Sequence, residues 1–182
     1  MMKLLFVIGS LKKNSSNRML AEIVRGIIAD RAEIAYLEYS DLPMINPDIE
    51  FPVPESVQRV RDAVASCDGV WIFFPEYNHS YPGVLKNMLD WISRPIAKGA
   101  PRTSAISSGV PVTYSSVSGK GGAVKAFEKM ADLMEKIHMK DMPGEKLALS
   151  EPAIEDGNLV LTKEQEAVLN GQIEAFLEWI SE

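Results

Sequence analysis

The chain has 182 residues, 46 % of them hydrophobic and 24 % charged, with a net charge of about −6. This suits one α/β domain, residues 1–182, with a real core. The acidic balance argues against phosphate-driven nucleic-acid binding, which wants a basic face, while leaving room for a local basic pocket, and the lone cysteine, Cys67, excludes an internal disulfide.

The elements follow in chain order. Lys3 to Ile8 is a nearly continuous apolar run ending at Gly9, as expected for a strand buried on both faces of a parallel sheet. It is too short to cross a membrane, and no export signal is read, so no membrane association and a cytoplasmic location are expected. Met19, Leu20, Ile23, Val24, Ile27 and Ile28 fall on one face of a helix. Ile34 to Tyr39 reads as a second strand, and residues 40–54, with four prolines, as a loop. Val57, Val60, Val64 and Ala65 suggest a helix that ends near Cys67, which reads as packing.

Gly69 to Phe74 reads as a third strand, stopped by Pro75. Pro82 stands where a helix begins, and Val84, Leu85, Met88, Leu89 and Ile92 give that helix its apolar face. A strand is expected near Val112 to Val117. A helix follows through Val124, Phe127, Met130, Met134 and Ile137, then a short strand near Met139 to Met142. Met130, Met134, Met139 and Met142 read as core filler. Thr162 and Gln165 form a capping box for a last helix reaching Ile180. Such alternation implies a parallel sheet covered by helices on both sides.

In an open parallel sheet, ligands bind beyond the carboxyl ends of the strands. Three loops there are unusual. The first, Gly9 to Arg18, carries Ser10, Lys12, Ser15, Ser16 and Asn17 ahead of a helix. Hydroxyls, a cation and free helix-end N–H groups suit a phosphate; the same residues also suit an ordinary N-capped loop. The loop lacks both G-x-x-x-x-G-K-[ST] and G-x-G-x-x-G, so a monophosphate fits better than a dinucleotide.

The second loop, Pro75 to Gly83, holds Tyr77, Tyr81 and His79. It can set backbone N–H groups against a flat heterocycle or serve as a tight, packed connection. The third, Ser115 to Gly122, carries Ser118, Gly119, Lys120, Gly121 and Gly122. Its glycines allow close backbone approach to a ligand, or make a flexible turn. No Ser/His/Asp or Cys/His constellation and no metal site is read.

The run Pro75-Glu76-Tyr77-Asn78-His79-Ser80-Tyr81-Pro82-Gly83-Val84-Leu85-Lys86-Asn87-Met88-Leu89-Asp90-Trp91 closely resembles the motif of the NAD(P)H-dependent FMN reductases, a family that includes chromate- and quinone-reducing flavoproteins. The first loop is similar to that family's G-S-L-R-x-x-S-x-N-R, with Lys12 in place of arginine. The third matches less well, since Val124-Lys125-Ala126 stands where the family carries an arginine. The resemblance covers about residues 3–140.

It implies a flavodoxin-like three-layer sandwich with a five-stranded parallel sheet in the order 2-1-3-4-5. It implies non-covalent FMN, with Ser10, Lys12, Ser15, Ser16 and Asn17 at the phosphate. Pro75, Glu76, Tyr77, Asn78 and Ser118 to Gly122 would lie at the ring, and Tyr81 on the substrate side. It further implies hydride transfer from NAD(P)H to the flavin and then electron delivery to flavin, quinone or a similar small acceptor, in a ping-pong cycle. No side chain need act as acid or base, and a homodimer or homotetramer is expected. The alternatives are a flavodoxin-type electron carrier that does not oxidise NAD(P)H, and a flavin-free interaction module.

Overall fold

The structure is a computed structural model and describes residues 1–181. The elements run β1 (Met2–Ile8), α1 (Ser16–Ile28), β2 (Ala32–Tyr36), α2 (Glu55–Ala65), β3 (Gly69–Phe73) and α3 (Gly83–Ile92). They continue with β4 (Pro111–Ser118), α4 (Val124–Lys136), β5 (Lys140–Asp141), β6 (Ala148–Ser150), β7 (Ala153–Glu155), β8 (Asn158–Val160) and α5 (Lys163–Trp179). The main sheet is parallel in the order β2-β1-β3-β4-β5, as the resemblance implied.

Alternating side chains along each central strand feed two separate cores, which is why these strands are apolar almost throughout. Leu5, Val7, Val70 and Ile72 face α2, α3 and α4. Leu4, Phe6, Trp71 and Phe73 face α1 and α5. Met130, Met134 and Met139 fill the first core and Met142 the second. Cys67 is partly buried, and burial pushes its thiol up to about 11. Helix α5 begins with the expected box: Thr162 N donates to Gln165 Oε1 at 2.9 Å, and Gln165 N to Thr162 Oγ1 at 3.3 Å.

The fifth strand position is divided, where a single short strand was expected. The first residues of β4 pair with β5, while Ser116 to Ser118 pair with β6. Gln172 of α5 bridges the interruption. Its Oε1 accepts from Leu147 N and Ser115 Oγ, and its Nε2 donates to Thr113 Oγ1 and Tyr114 O, all within 3.1 Å. The antiparallel hairpin β7–β8, also unforeseen, turns at Asp156-Gly157, both at positive φ.

The 43–50 segment is fastened to α3 and to Arg94 just beyond it. Asn87 accepts from Ile45 N at 2.8 Å and donates to Pro43 O at 2.9 Å, and Trp91 Nε1 donates to Pro43 O at 2.8 Å. Arg94 grips the buried Glu50 with two bonds, at 2.7 and 2.9 Å. The later half of the Pro75–Trp91 motif therefore carries structural duty.

Candidate active site

Strands β1, β3 and β4 are neighbours, so the loops that leave their carboxyl ends lie side by side. In the first, Gly9 N donates to Phe73 O at 2.7 Å. A Cβ at Gly9 would sit 2.6 Å from Phe74 Cβ, so only glycine lets the loop leave the sheet this close to β3. Ser15 is the N-cap of α1, accepting from Arg18 N at 3.1 Å. Lys12, Lys13 and Asn14 are exposed. Lys12 N reaches Ser10 Oγ at 3.3 Å. Among the described residues, the amides of Leu11, Lys13 and Asn14 meet no protein acceptor. Free N–H groups, a helix end, hydroxyls and cations make a donor set that suits a phosphate.

Asn17 differs from expectation. It is 2 % exposed, and its Nδ2 donates to Val117 O at 2.8 Å while its Oδ1 accepts from Val117 N at 2.9 Å. The pairing of β3 with β4 ends at Phe73 opposite Ser115, and β4 runs on to Ser118. Asn17 takes the place of the missing strand neighbour, with one bond from each polar atom of its side-chain amide. We read it first as a brace for the end of β4.

In the second loop, Tyr77 and Ser80 exchange backbone bonds at 2.8 and 3.0 Å, around Asn78 and His79 at φ 51° and 59°. Positive φ at both central residues marks a tight hairpin turn, a conformation that asparagine tolerates better than most. Pro75 is buried, while Tyr77, Asn78 and His79 are exposed. Tyr77, 54 % exposed, is the open ring of this loop. Tyr81, expected on the substrate side, packs partly buried against the α2/α3/α4 core, and burial raises its phenol. The His79 imidazole stands in solvent, Nδ1 3.4 Å from Glu76 Oε1.

In the third loop, Ser118 Oγ accepts from Glu76 N at 2.7 Å and lies 2.9 Å from Ser116 Oγ. Gly119, Lys120 and Gly121 are exposed, and Gly121 and Gly122 lie at φ 101° and 62°. Among the described residues Lys120 has no ion-pair partner. The structure thus joins the second and third loops through Glu76 and Ser118, and ties the first to β4 through Asn17.

A cavity of about 550 Å³ opens between the first loop and residues 37–40, lined by Ser10, Leu11, Lys12, Arg18 and Tyr39 among others. It takes in the cationic side of the first loop and leaves out the second and third loops. The bracing contacts of Asn17 and Glu76 were not legible beforehand, because each joins residues far apart in sequence.

Residues 2–153 match the family described as NADPH-dependent FMN reductase. A quinone reductase of Pseudomonas putida is 37 % identical over 138 residues, 75 % of this chain and 70 % of that protein. A 2-hydroxy-1,4-benzoquinone reductase of Burkholderia sp is 37 % identical over 94 residues, 52 % of this chain; the match spans only 51 % of that relative. Among solved structures, the flavoenzyme NAD(P)H:(acceptor) oxidoreductase FerB of Paracoccus denitrificans superposes with a TM-score of 0.82 at 28 % identity, covering 100 % of this chain and 98 % of that one. An archaeal flavodoxin, at 13 % identity and a TM-score of 0.60 with full coverage of both chains, shares the fold. The chain belongs to the NADPH-dependent FMN reductase family, flavodoxin-like oxidoreductases with FMN as cofactor and NAD(P)H as co-substrate.

Proposed function

We propose that this protein reduces quinones or similar small acceptors with NAD(P)H, one reductant and one acceptor using the same exposed edge in turn. The observation that carries the reading is the convergence of three donor-rich loops at the carboxyl ends of β1, β3 and β4. The relatives named quinone reductase support the acceptor class.

Ser10, Lys12, Ser15 and Ser16 would hold the FMN phosphate. Pro75 to Asn78 and Ser118 to Gly122 would bracket the ring, where the exposed Lys120 can balance negative charge. Tyr77, more than Tyr81, is placed to border the substrate. Bound FMN supplies a site that accepts hydride and then returns electrons to the acceptor. Overall, the hydride and one solvent proton convert a quinone to a hydroquinone. Free flavin, chromate and azo compounds are further acceptors within this proposal. A homodimer or homotetramer, which rests on the resemblance, and a cytoplasmic location, which rests on the single cysteine, form part of this proposal.

Initial rates with NADH and NADPH against benzoquinone test the reading. Parallel double-reciprocal lines support it. FMN binding without NAD(P)H oxidation would instead identify a flavodoxin-type carrier.

His79→Ala is expected to keep NAD(P)H oxidation within about threefold, since a positioned acid or base typically contributes about 10²–10⁴-fold and His79 stands in solvent. Anaerobic stopped-flow measurement of flavin reduction reads this directly. A loss above about 100-fold with FMN still bound would give His79 a proton-handling role.

A further inference from the structure

Helix α4 lacks a cap of its own. Its N-cap residue is Ala123, at φ 64°, with no side-chain acceptor, and no acidic residue stands in its first turn. Ala123 is fully buried, so water does not readily replace the cap. The missing acceptor comes from another loop. Glu76 Oε2 accepts from Ala126 N at 3.0 Å, fifty residues along the chain. The carboxylate, 13 % exposed, thereby places a negative charge at the positive end of the helix. The same residue's backbone N–H donates to Ser118 Oγ at 2.7 Å. Glu76 is thus bonded to both ends of the 118–126 segment: its backbone to the last residue of β4, its side chain to the first turn of α4.

Between those two anchors lie Gly119, Lys120, Gly121 and Gly122, which have few other restraints. Ser150 Oγ donates to Gly119 O at 3.2 Å, and Gly122 N reaches Gly119 O at 3.4 Å. A glycine-rich segment of this kind loses much conformational entropy when it is fixed. Something must fix it if its amides are to meet a rigid ligand repeatedly in one geometry.

We propose that Glu76 is a positioning residue: its carboxylate caps α4 from the β3–α3 loop and so sets the Gly119–Gly122 loop at a defined separation from Pro75–Asn78. This rests on reading those two loops as the walls of the flavin-ring site. Glu76 need not touch the ring with its side chain; it acts through the loop that does. The other carboxylate oxygen, Oε1, lies 3.4 Å from Nδ1 of the exposed His79.

The test compares E76A, E76Q and E76D in the full chain, by hydrogen exchange without flavin and by FMN titration. Loss of an N-cap acceptor raises local opening by about threefold to thirtyfold. E76A is therefore expected to speed exchange across residues 119–126 by that amount, and to weaken FMN binding by about tenfold. E76Q retains an acceptor oxygen and restores both to within about threefold, with the visible circular dichroism of bound FMN returning to the wild-type form. E76D is one methylene too short and behaves like E76A. Should E76A fail to fold, the contrast between E76Q and E76D carries the same test.

Unchanged exchange at 119–126 in E76A, or equal behaviour of E76Q and E76D, overturns the proposal. Faster exchange with undiminished FMN affinity overturns it too, since the loop would then be held for some other purpose. A wild-type protein that binds no FMN overturns the flavin-site reading itself; the exchange measurement, made without flavin, still shows separately whether the clamp exists.

Discussion

Replacing Asn17 with alanine is expected to lower stability by about 2–6 kcal/mol, because it strips partners from two buried backbone groups at about 1–3 kcal/mol each. Those groups are the N–H and C=O of Val117, at the point where β4 outruns β3. Urea unfolding followed by far-UV circular dichroism measures the loss. FMN affinity should fall in the same variant, since the end of β4 launches the Ser118–Gly122 loop. Ser10→Ala makes the contrast: Ser10 is partly exposed and accepts one long bond, so stability should stay within about 0.5 kcal/mol while phosphate binding weakens. An Asn17→Ala protein as stable as the parent would show that Val117 finds other partners and that the brace is dispensable.

Gln172→Leu is expected to cost about 2–5 kcal/mol through the same physics, at the junction of the divided fifth strand. The change nearly conserves volume. It deprives the buried Leu147 N and Tyr114 O of a partner and breaks the link to Thr113 and Ser115. Ser115 Oγ also accepts from Trp71 Nε1 at 3.1 Å, so the disturbance reaches the centre of the sheet. The midpoint of denaturant unfolding should fall without a change in slope. A variant within about 0.5 kcal/mol of the parent would mean that the amide network is neutral against an apolar core, an outcome known when both partners become apolar but not expected where two backbone groups stay behind.

Much of the fold was legible because it rests on local pattern. The run from Leu4 to Ile8 is buried throughout, as two-sided coverage demands. The Thr162/Gln165 box starts α5 where it was expected. The short strand expected near Met139 to Met142 is β5, Lys140–Asp141, but the second piece, Ala148–Ser150, was hidden because three residues are too few to show a period. The β7–β8 hairpin did leave a trace, Asp156-Gly157 between short alternating runs, which is a strong turn signal.

The site was legible as three loops and less so as individual roles. Serines, lysines and glycines at strand ends announce anion and backbone contacts by composition alone. Whether a given amide faces a ligand or the protein's own backbone depends on where neighbouring strands stop, and Asn17 and Glu76 both turned out to satisfy backbone groups. Tyr77 and Tyr81 look alike in sequence; the tight turn at Asn78-His79 separates one exposed ring from one packed ring.

In the proposed site, the first loop selects a flavin by its terminal phosphate while the other two receive the ring. Parallel fluorescence titrations of the purified, flavin-free protein with FMN, riboflavin and FAD test it most directly. Two charge-assisted hydrogen bonds at about 1.5–3 kcal/mol each place FMN at least about 100-fold ahead of riboflavin, and FAD is expected to bind more weakly than FMN because the loop lacks a dinucleotide motif. Equal affinity for FMN and riboflavin would contradict the assignment of Ser10, Lys12, Ser15 and Ser16 to the phosphate.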